Sequence, residues 1–308
     1  MGEMNPYQCE IVADFYDATV EPELWSETLE RFAHAIQADA CVLMRRHFLK
    51  REGAIVDAFG LDGPVKGAYT DRVAADDVWA QDDAFFQTAS VFSGTDAVDE
   101  GALTGSGTYH DWLAHQKLQH ALFLVLERRG DTAHYVIAFR SAEAPAFSSE
   151  EIGVVRDLSP RVAAAFRLGG GVARQKAERA IAFEALDAMP IGIIAVDRSG
   201  AVVRANRFAH AVIAGGEGVL NSDVGLVLDR PGHRIKVRDL IAQLEGSRTQ
   251  SAISEPVSYT LPRYRQQRPL TCLLITPGKG KNATPDGGPA ALLFIGDPER
   301  PMAFDATR

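Results

Sequence analysis

Residues 159–190, SPRVAAAFRLGGGVARQKAERAIAFEALDAMP, constrain this chain more than any other stretch. The segment combines Ala with Arg, Lys and Glu, all strong helix formers, and keeps helical character on both sides of the glycine triplet 169–171. Each glycine costs a helix about 1 kcal/mol relative to alanine, so the triplet is either a break or a hinge. Before it, Val162 and Phe166 stand at i, i+4. Beyond it, Ala173, Ala177, Ile181 and Ala185 share a face of small and aliphatic residues suited to close helix packing. Such a face either packs on its own domain or forms a homodimer seam. The segment divides the chain into blocks that can each hold a core: residues 1–158, a helical connector at 159–188, a second block at 189–300 and a tail at 301–308.

Composition narrows the class. With 46% apolar residues over 308 positions, two ordinary domains are expected, and a net charge of −9 argues against a broad basic face for nucleic acid. The longest apolar runs, 121–126 and 290–295, fall short of the roughly 20 residues of a membrane span. Cys9, Cys41 and Cys272 are scattered, with no CxxC pair, which implies neither a disulfide framework nor a zinc site. The expected setting is cytoplasmic, with no membrane partner.

In the first block, residues 6–18 place Cys9, Val12, Ala13 and Tyr16 at helical spacing. Pro22 then suits the first turn of a helix with the apolar stripe Leu24, Trp25, Thr28, Leu29, Phe32 and Ile36. Residues 40–43 and 54–59 are β-compatible runs forming a hairpin. Residues 66–87 return to a helical pattern, with Tyr69, Val73, Ala80 and Ala84 on one face and Asp76 or Asp77 among them. A carboxylate on an apolar face must be paired, hydrogen-bonded or wet. It marks either a break at a solvated edge or an acid turned into a ligand cavity.

A Gly/Ser/Thr-rich loop at 93–108 precedes a helix at 109–118 and two strands, 121–127 and 133–140, joined by Arg128-Arg129-Gly130-Asp131. Ser148 and Glu151 then form a capping box that starts the helix leading into the connector. This order predicts an antiparallel α+β sandwich and not a Rossmann unit. His110, His115 and His120 recur every fifth residue, about 500° of helical rotation, so they fan apart and do not make a metal site.

The run YTDRVAADDVWA (residues 69–80), followed by YHDWLAHQKLQHAL (109–122) and FSSEE (147–151), resembles the N-terminal region of LuxR-type helix-turn-helix transcriptional regulators. The resemblance is to the subset that carries GAF- and PAS-like sensor domains ahead of the DNA-binding domain. Where that family has Asp-Pro-Trp, this chain has Asp77-Val78-Trp79. The resemblance implies a small-molecule pocket lined by Tyr69, Asp77, Trp79, Tyr109 and Trp112, with Asp77 anchoring an amide, hydroxyl or amine. It also implies a homodimer.

The second block opens with PIGIIAVDRSGAVVRAN (190–206): strands at 192–196 and 201–205 around the turn Asp197-Arg198-Ser199-Gly200, then Asn206 capping a helix closed by Gly215. This order resembles the start of a PAS domain. A helix at 236–244 and strands at 257–261, 270–276 and 291–295 complete it, with Phe208, Leu240, Leu273 and Phe294 as core fillers. The loop 277–288 reads as an exposed turn, and its GKGK lacks the spacing of a phosphate loop. His210 and His233 each stand alone and suit haem poorly, and the one cysteine, Cys272, lies on a strand and not in a flavin-reactive helix motif, so no cofactor is expected. In the resembled family a run like Asp297-Pro298-Glu299 leads into the helix-turn-helix domain; nothing after it here matches one, so DNA binding is implied only through a domain not in this chain.

The leading functional expectation is therefore the sensory portion of a transcription regulator. An enzyme is the competing class, yet there is no nucleophile elbow, HExxH or phosphate loop, and only a hydrolase built on Asp77 and a histidine remains. A ligand-free dimerisation scaffold is the third.

Overall fold

The computed structural model describes residues 6–61, 74–75, 77–216, 218–230, 232–246, 256–263, 268–276 and 289–299. The chain is α+β, and it forms two compact units, Met1–Ala177 and Glu178–Arg308. All strand pairs are antiparallel among the described residues.

The first unit begins with helices α1 (Pro6–Val20) and α2 (Trp25–Ala35), the latter entered through a 3₁₀ turn with Pro22 at its start. Strands β1 (Ala40–His47) and β2 (Glu52–Phe59) form the expected hairpin. β3 (Val91–Ser93) and the short helices α3 (Gly94–Ala97) and α4 (Glu100–Thr104) occupy the stretch that composition marks as loop. β4 (Leu118–Arg129) and β5 (Thr132–Ser141) complete a sheet of order β2-β1-β5-β4-β3.

Because side chains alternate across a strand, the sheet makes two cores. Cys41 and Leu43, Leu122, Leu124 and Leu126, and Val136 and Ala138 face α1, α2 and Val155, Leu158 and Val162. Their neighbours Val42, Met44, Phe123, Tyr135, Ile137 and Phe139 face a layer built by Trp79, Phe86, Phe92 and Trp112. Covering on both sides is why β4 and β5 read as continuous apolar runs.

Helix α5 runs unbroken over Ser149–Ala188. Its start is the anticipated capping box: the Ser148 backbone N–H donates to Glu151 at 2.7 Å and the Glu151 N–H donates to Ser148 Oγ at 3.3 Å. The glycine triplet does not break this helix. Gly169 is where α1 crosses, and a Cβ there would lie 2.8 Å from Thr19 Cβ and 2.9 Å from the Tyr16 carbonyl. Pro160 lies inside the helix and has no N–H for the Arg156 carbonyl; the Ser159 hydroxyl sits 2.9 Å from that oxygen and 2.7 Å from the Ala89 carbonyl.

The second unit holds β6 (Ile191–Val196), β7 (Val202–Ala205), α6 (Arg207–Gly215), α7 (Val237–Gly246), β11 (Val257–Leu261), β12 (Leu270–Ile275) and β13 (Ala291–Gly296), with the sheet order β11-β12-β13-β6-β7. A separate sheet, β10-β9-β8, consists of β8 (Val219–Ser222), β9 (Gly225–Arg230) and β10 (His233–Lys236), short strands that sequence pattern did not anticipate. Asn206 ties the unit's opening together. Its Oδ1 accepts from Ile193 and Ala209 N–H, and its Nδ2 donates to the Leu186 and Ile191 carbonyls. The left-handed residue closing α6 is Gly216, one position after the anticipated Gly215.

Phe208 and Leu240 are buried as core fillers, but Leu273 and Phe294 are only half-buried. The buried face of β12 and β13 carries Leu270, Cys272 and Leu274 with Ala291, Leu293 and Ile295. Leu273 and Phe294 pair with each other on the opposite face. The loop 277–288 and the tail 301–308 lie outside the described residues.

Candidate functional site

The sheet face carrying Met44, Phe123, Tyr135 and Phe139 holds buried polar groups within aromatic walls. Tyr69 and Asp76 lie outside the described residues. Residues 77–87 do not continue a helix, contrary to the pattern of 66–87. They form two 3₁₀ turns, Val78–Ala80 and Asp83–Phe85. The cause is local: Asp77 accepts from the Trp79 N–H at 3.1 Å and Asp82 from the Ala84 N–H at 3.0 Å. Short side-chain acceptors two residues ahead of an amide offer it an alternative to the helical carbonyl, so the helix yields to two capped turns.

That turn aims Asp77 inward. The carboxylate is buried, and its Oδ2 lies 3.7 Å from Nη1 of Arg46, itself only 2% exposed. Arg46 belongs to β1 on the same face as Val42 and Met44, and its Nη1 also donates to the Ala74 carbonyl at 2.7 Å. The buried Thr108 hydroxyl accepts from the Val78 N–H at 3.3 Å. In register, Arg46 pairs with Ala133 and Met44 with Tyr135, which places Tyr135 diagonally beside Arg46. Burial pushes the Tyr135 phenol well above its usual range; the Asp77 charge adds to the rise and the Arg46 charge opposes it. Tyr135 is therefore a protonated hydroxyl at any physiological pH.

The walls are aromatic. Trp79 donates from Nε1 to the Gly94 carbonyl at 3.2 Å, and its ring meets Phe123 at 5.4 Å and Phe139 at 6.3 Å. Trp112 stands edge-on to Phe139 at 5.7 Å. Phe86 contacts Tyr135 at 4.9 Å. Tyr109 is half-buried against this cluster and starts a π-helical turn, Tyr109–Leu113, which passes into a 3₁₀ turn ending at left-handed Lys117; the anticipated helix over 109–118 is thus two tighter and looser pieces. Four of the five residues named from sequence, Asp77, Trp79, Tyr109 and Trp112, gather on one sheet face. Arg46, Thr108, Phe123 and Tyr135 join them and were missed. The strand alternation 40, 42, 44, 46 and 133, 135, 137, 139 carries the signal for Arg46 and Tyr135.

A carboxylate, a guanidinium, a phenol and a threonine hydroxyl within aromatic rings can orient the polar group of a largely apolar molecule. Burial raises the thiols of Cys41 and Cys272, the latter to about 12, so neither ionises near neutral pH. Among the described residues no group of three His, Cys, Asp or Glu side chains converges as a metal site, and no helix is long and apolar enough to cross a membrane.

No family model and no curated protein matches the chain. Solved structures do resemble it. The ligand-binding domain of VqsR from Pseudomonas aeruginosa aligns at 16% identity and a TM-score of 0.45, covering 55% of this chain and 99% of that one. The N-acylhomoserine lactone-dependent LuxR-family transcription factor CepR2 from Burkholderia cenocepacia aligns at 14% and 0.38, over 55% and 98%. The GAF domain/HD domain protein from Geobacter sulfurreducens aligns at 15% and 0.34, over 51% and 97%. Likeness at this level assigns neither family nor activity.

Proposed function

We propose that the chain is the sensory portion of a LuxR-type transcription regulator, with a GAF-like first unit that binds a small molecule and a PAS-like second unit. The observation that carries this reading is the buried Asp77–Arg46 pair set among Trp79, Trp112, Phe123 and Tyr135. Desolvating two charges offsets most of their mutual attraction, and an apolar pair of similar volume often stabilises a core better. A buried pair packed among aromatic side chains therefore suits recognition of a polar ligand group, with Asp77 as acceptor and Tyr135 as donor. Helix α5 carries residues of both units and is the element through which occupancy would bias the second unit and a DNA-binding domain beyond this chain. Driving such an equilibrium from mostly off to mostly on takes about 5 kcal/mol of differential affinity.

Native mass spectrometry of the protein as isolated from cells, beside a denatured run, tests the reading. The expected result is a non-covalent mass of a few hundred daltons that is lost in Asp77→Asn and Trp79→Phe. Asparagine keeps the oxygen that caps Trp79 N–H but turns a donor toward buried Arg46, so the loss reports the anchor where the variant's melting temperature stays near that of the native chain. A bare protein with no thermal shift across a metabolite library overturns it.

A ligand-free dimerisation scaffold is the second reading, favoured by the face that Ala177, Ile181 and Ala185 leave exposed, with Ile181 at 67%. Sedimentation of Ile181→Glu tests the seam, and the mass-spectrometric run separates the two readings, because the scaffold has no ligand to lose.

A further inference from the structure

The second unit has a groove of about 470 Å³ on the side of its sheet away from the core. Its floor is Ile193 and Ala195 of β6, Leu292 of β13 and Val203 of β7, and one wall is the end of α5 at Phe183 and Leu186. In register, Ala195 pairs with both Leu292 and Arg204, so Arg204 stands on this outer face beside the apolar floor. Its guanidinium carbon lies 3.5 Å over the Phe183 ring, and that of Arg179, one helical turn earlier on α5, lies 5.6 Å from the same ring.

Neither arginine makes an ion pair or hydrogen bond among the described residues; the Phe183 ring is what each touches. The other polar side chains in the groove are already committed. Asn206 uses both ends on backbone groups, and Asp187 accepts from the Arg207 N–H at 2.7 Å. The result is an apolar floor, an aromatic wall and two guanidiniums against one carboxylate.

The geometry points to this groove as a binding site for a small organic anion with an aromatic or aliphatic body, its carboxylate held by Arg204 and Arg179 and its body laid on Ile193, Val203 and Leu292. The volume falls within the range of small-molecule sites, and guanidinium forks match carboxylates in plane and charge. Phe183 holds Arg204 by stacking, so the guanidinium is positioned before the anion arrives. The site lies in the second unit and does not depend on the first unit binding anything.

Calorimetric titration of the full chain with 3-phenylpropionate, and with 3-phenylpropanamide as its uncharged counterpart, tests the inference. The acid should bind at least tenfold tighter than the amide at low salt. Arg204→Gln and Arg179→Gln should each cut that preference several-fold, and together abolish it. Arg230→Gln, exposed and outside the groove, should leave it unchanged. Because Trp25, Trp79 and Trp112 all belong to the first unit, tryptophan emission should stay fixed while heat is released. Equal binding of acid and amide, or a preference that survives the double variant, overturns the site. So does sedimentation showing a dimer that excludes 3-phenylpropionate until Val203→Glu dissociates it, because a second copy would then be the occupant.

Discussion

Gly94 has no side chain because Trp79 needs the room. A Cβ there would lie 3.0 Å from Trp79 Nε1 and 3.2 Å from Ala121 Cβ, and the indole donates to Gly94's own carbonyl. Gly94→Ala should destabilise the first unit by about 1–3 kcal/mol, as overpacking does, and shift tryptophan emission; urea titration and fluorescence read both. Glu151 gives the residue scale its pH dependence. Its hydrogen bond to Arg140 at 2.6 Å, aided by the Ser148 N–H, holds the carboxyl down at about 2 from an ordinary 4.5. A depressed acid contributes fully above its unfolded value and loses that contribution as pH falls toward its folded one. The melting temperature of the native chain should therefore fall relative to Glu151→Gln as pH drops from 4.5 toward 2, and the gap between them should be constant above that window. The helical pattern left Asp76 or Asp77 among apolar residues, and the family resemblance singled out Asp77 and Trp79. Neither indicated Arg46, because an arginine late in a strand reads as its solvent end until the opposing layer is known.

Elements with a single strong signal were legible: the α1–α2 pair, both hairpins of the first unit, the capping box at Ser148 and the Asn206-capped α6 all form. Elements whose signal was shared by two outcomes were not. β12 and β13, LTCLLI and ALLFIG, carry apolar residues on both faces, so alternation could not say whether Leu273 and Phe294 point in or out. β8 and β10 are short and polar, and their pairing comes from neighbours rather than from their own composition. The glycine triplet of α5 was ambiguous for a third reason: its meaning depends on what crosses it. Gly169 meets α1, whereas a Cβ at Gly171 meets nothing within 4 Å. Gly169→Ala should destabilise by about 1–3 kcal/mol. Gly171→Ala should stabilise by up to about 1 kcal/mol, the helical gain of alanine over glycine. Opposite signs from two glycines two positions apart, read by urea denaturation of the full chain, would separate a packing glycine from a merely tolerated one.

Across the molecule, Trp25, Trp79 and Trp112 report on the first unit and the second has no tryptophan. In urea, the fluorescence transition should complete as one step while far-UV circular dichroism does not superimpose on it; superposition would mean that both units unfold as one. The two units also share a plan. β2-β1-β5-β4-β3 in the first and β7-β6-β13-β12-β11 in the second are the same order, with the strand made first lodged between its hairpin partner and the strand made last. The centre of each sheet is thus supplied by the end of its own sequence. On a ribosome, β1 and β2 wait as a lone hairpin until β5 emerges, and β6 and β7 wait until Ala291–Gly296 has cleared the exit tunnel. A nascent chain arrested before that strand holds one finished unit and one without its middle, so termination between Ile275 and Ala291 costs the whole second unit rather than its edge.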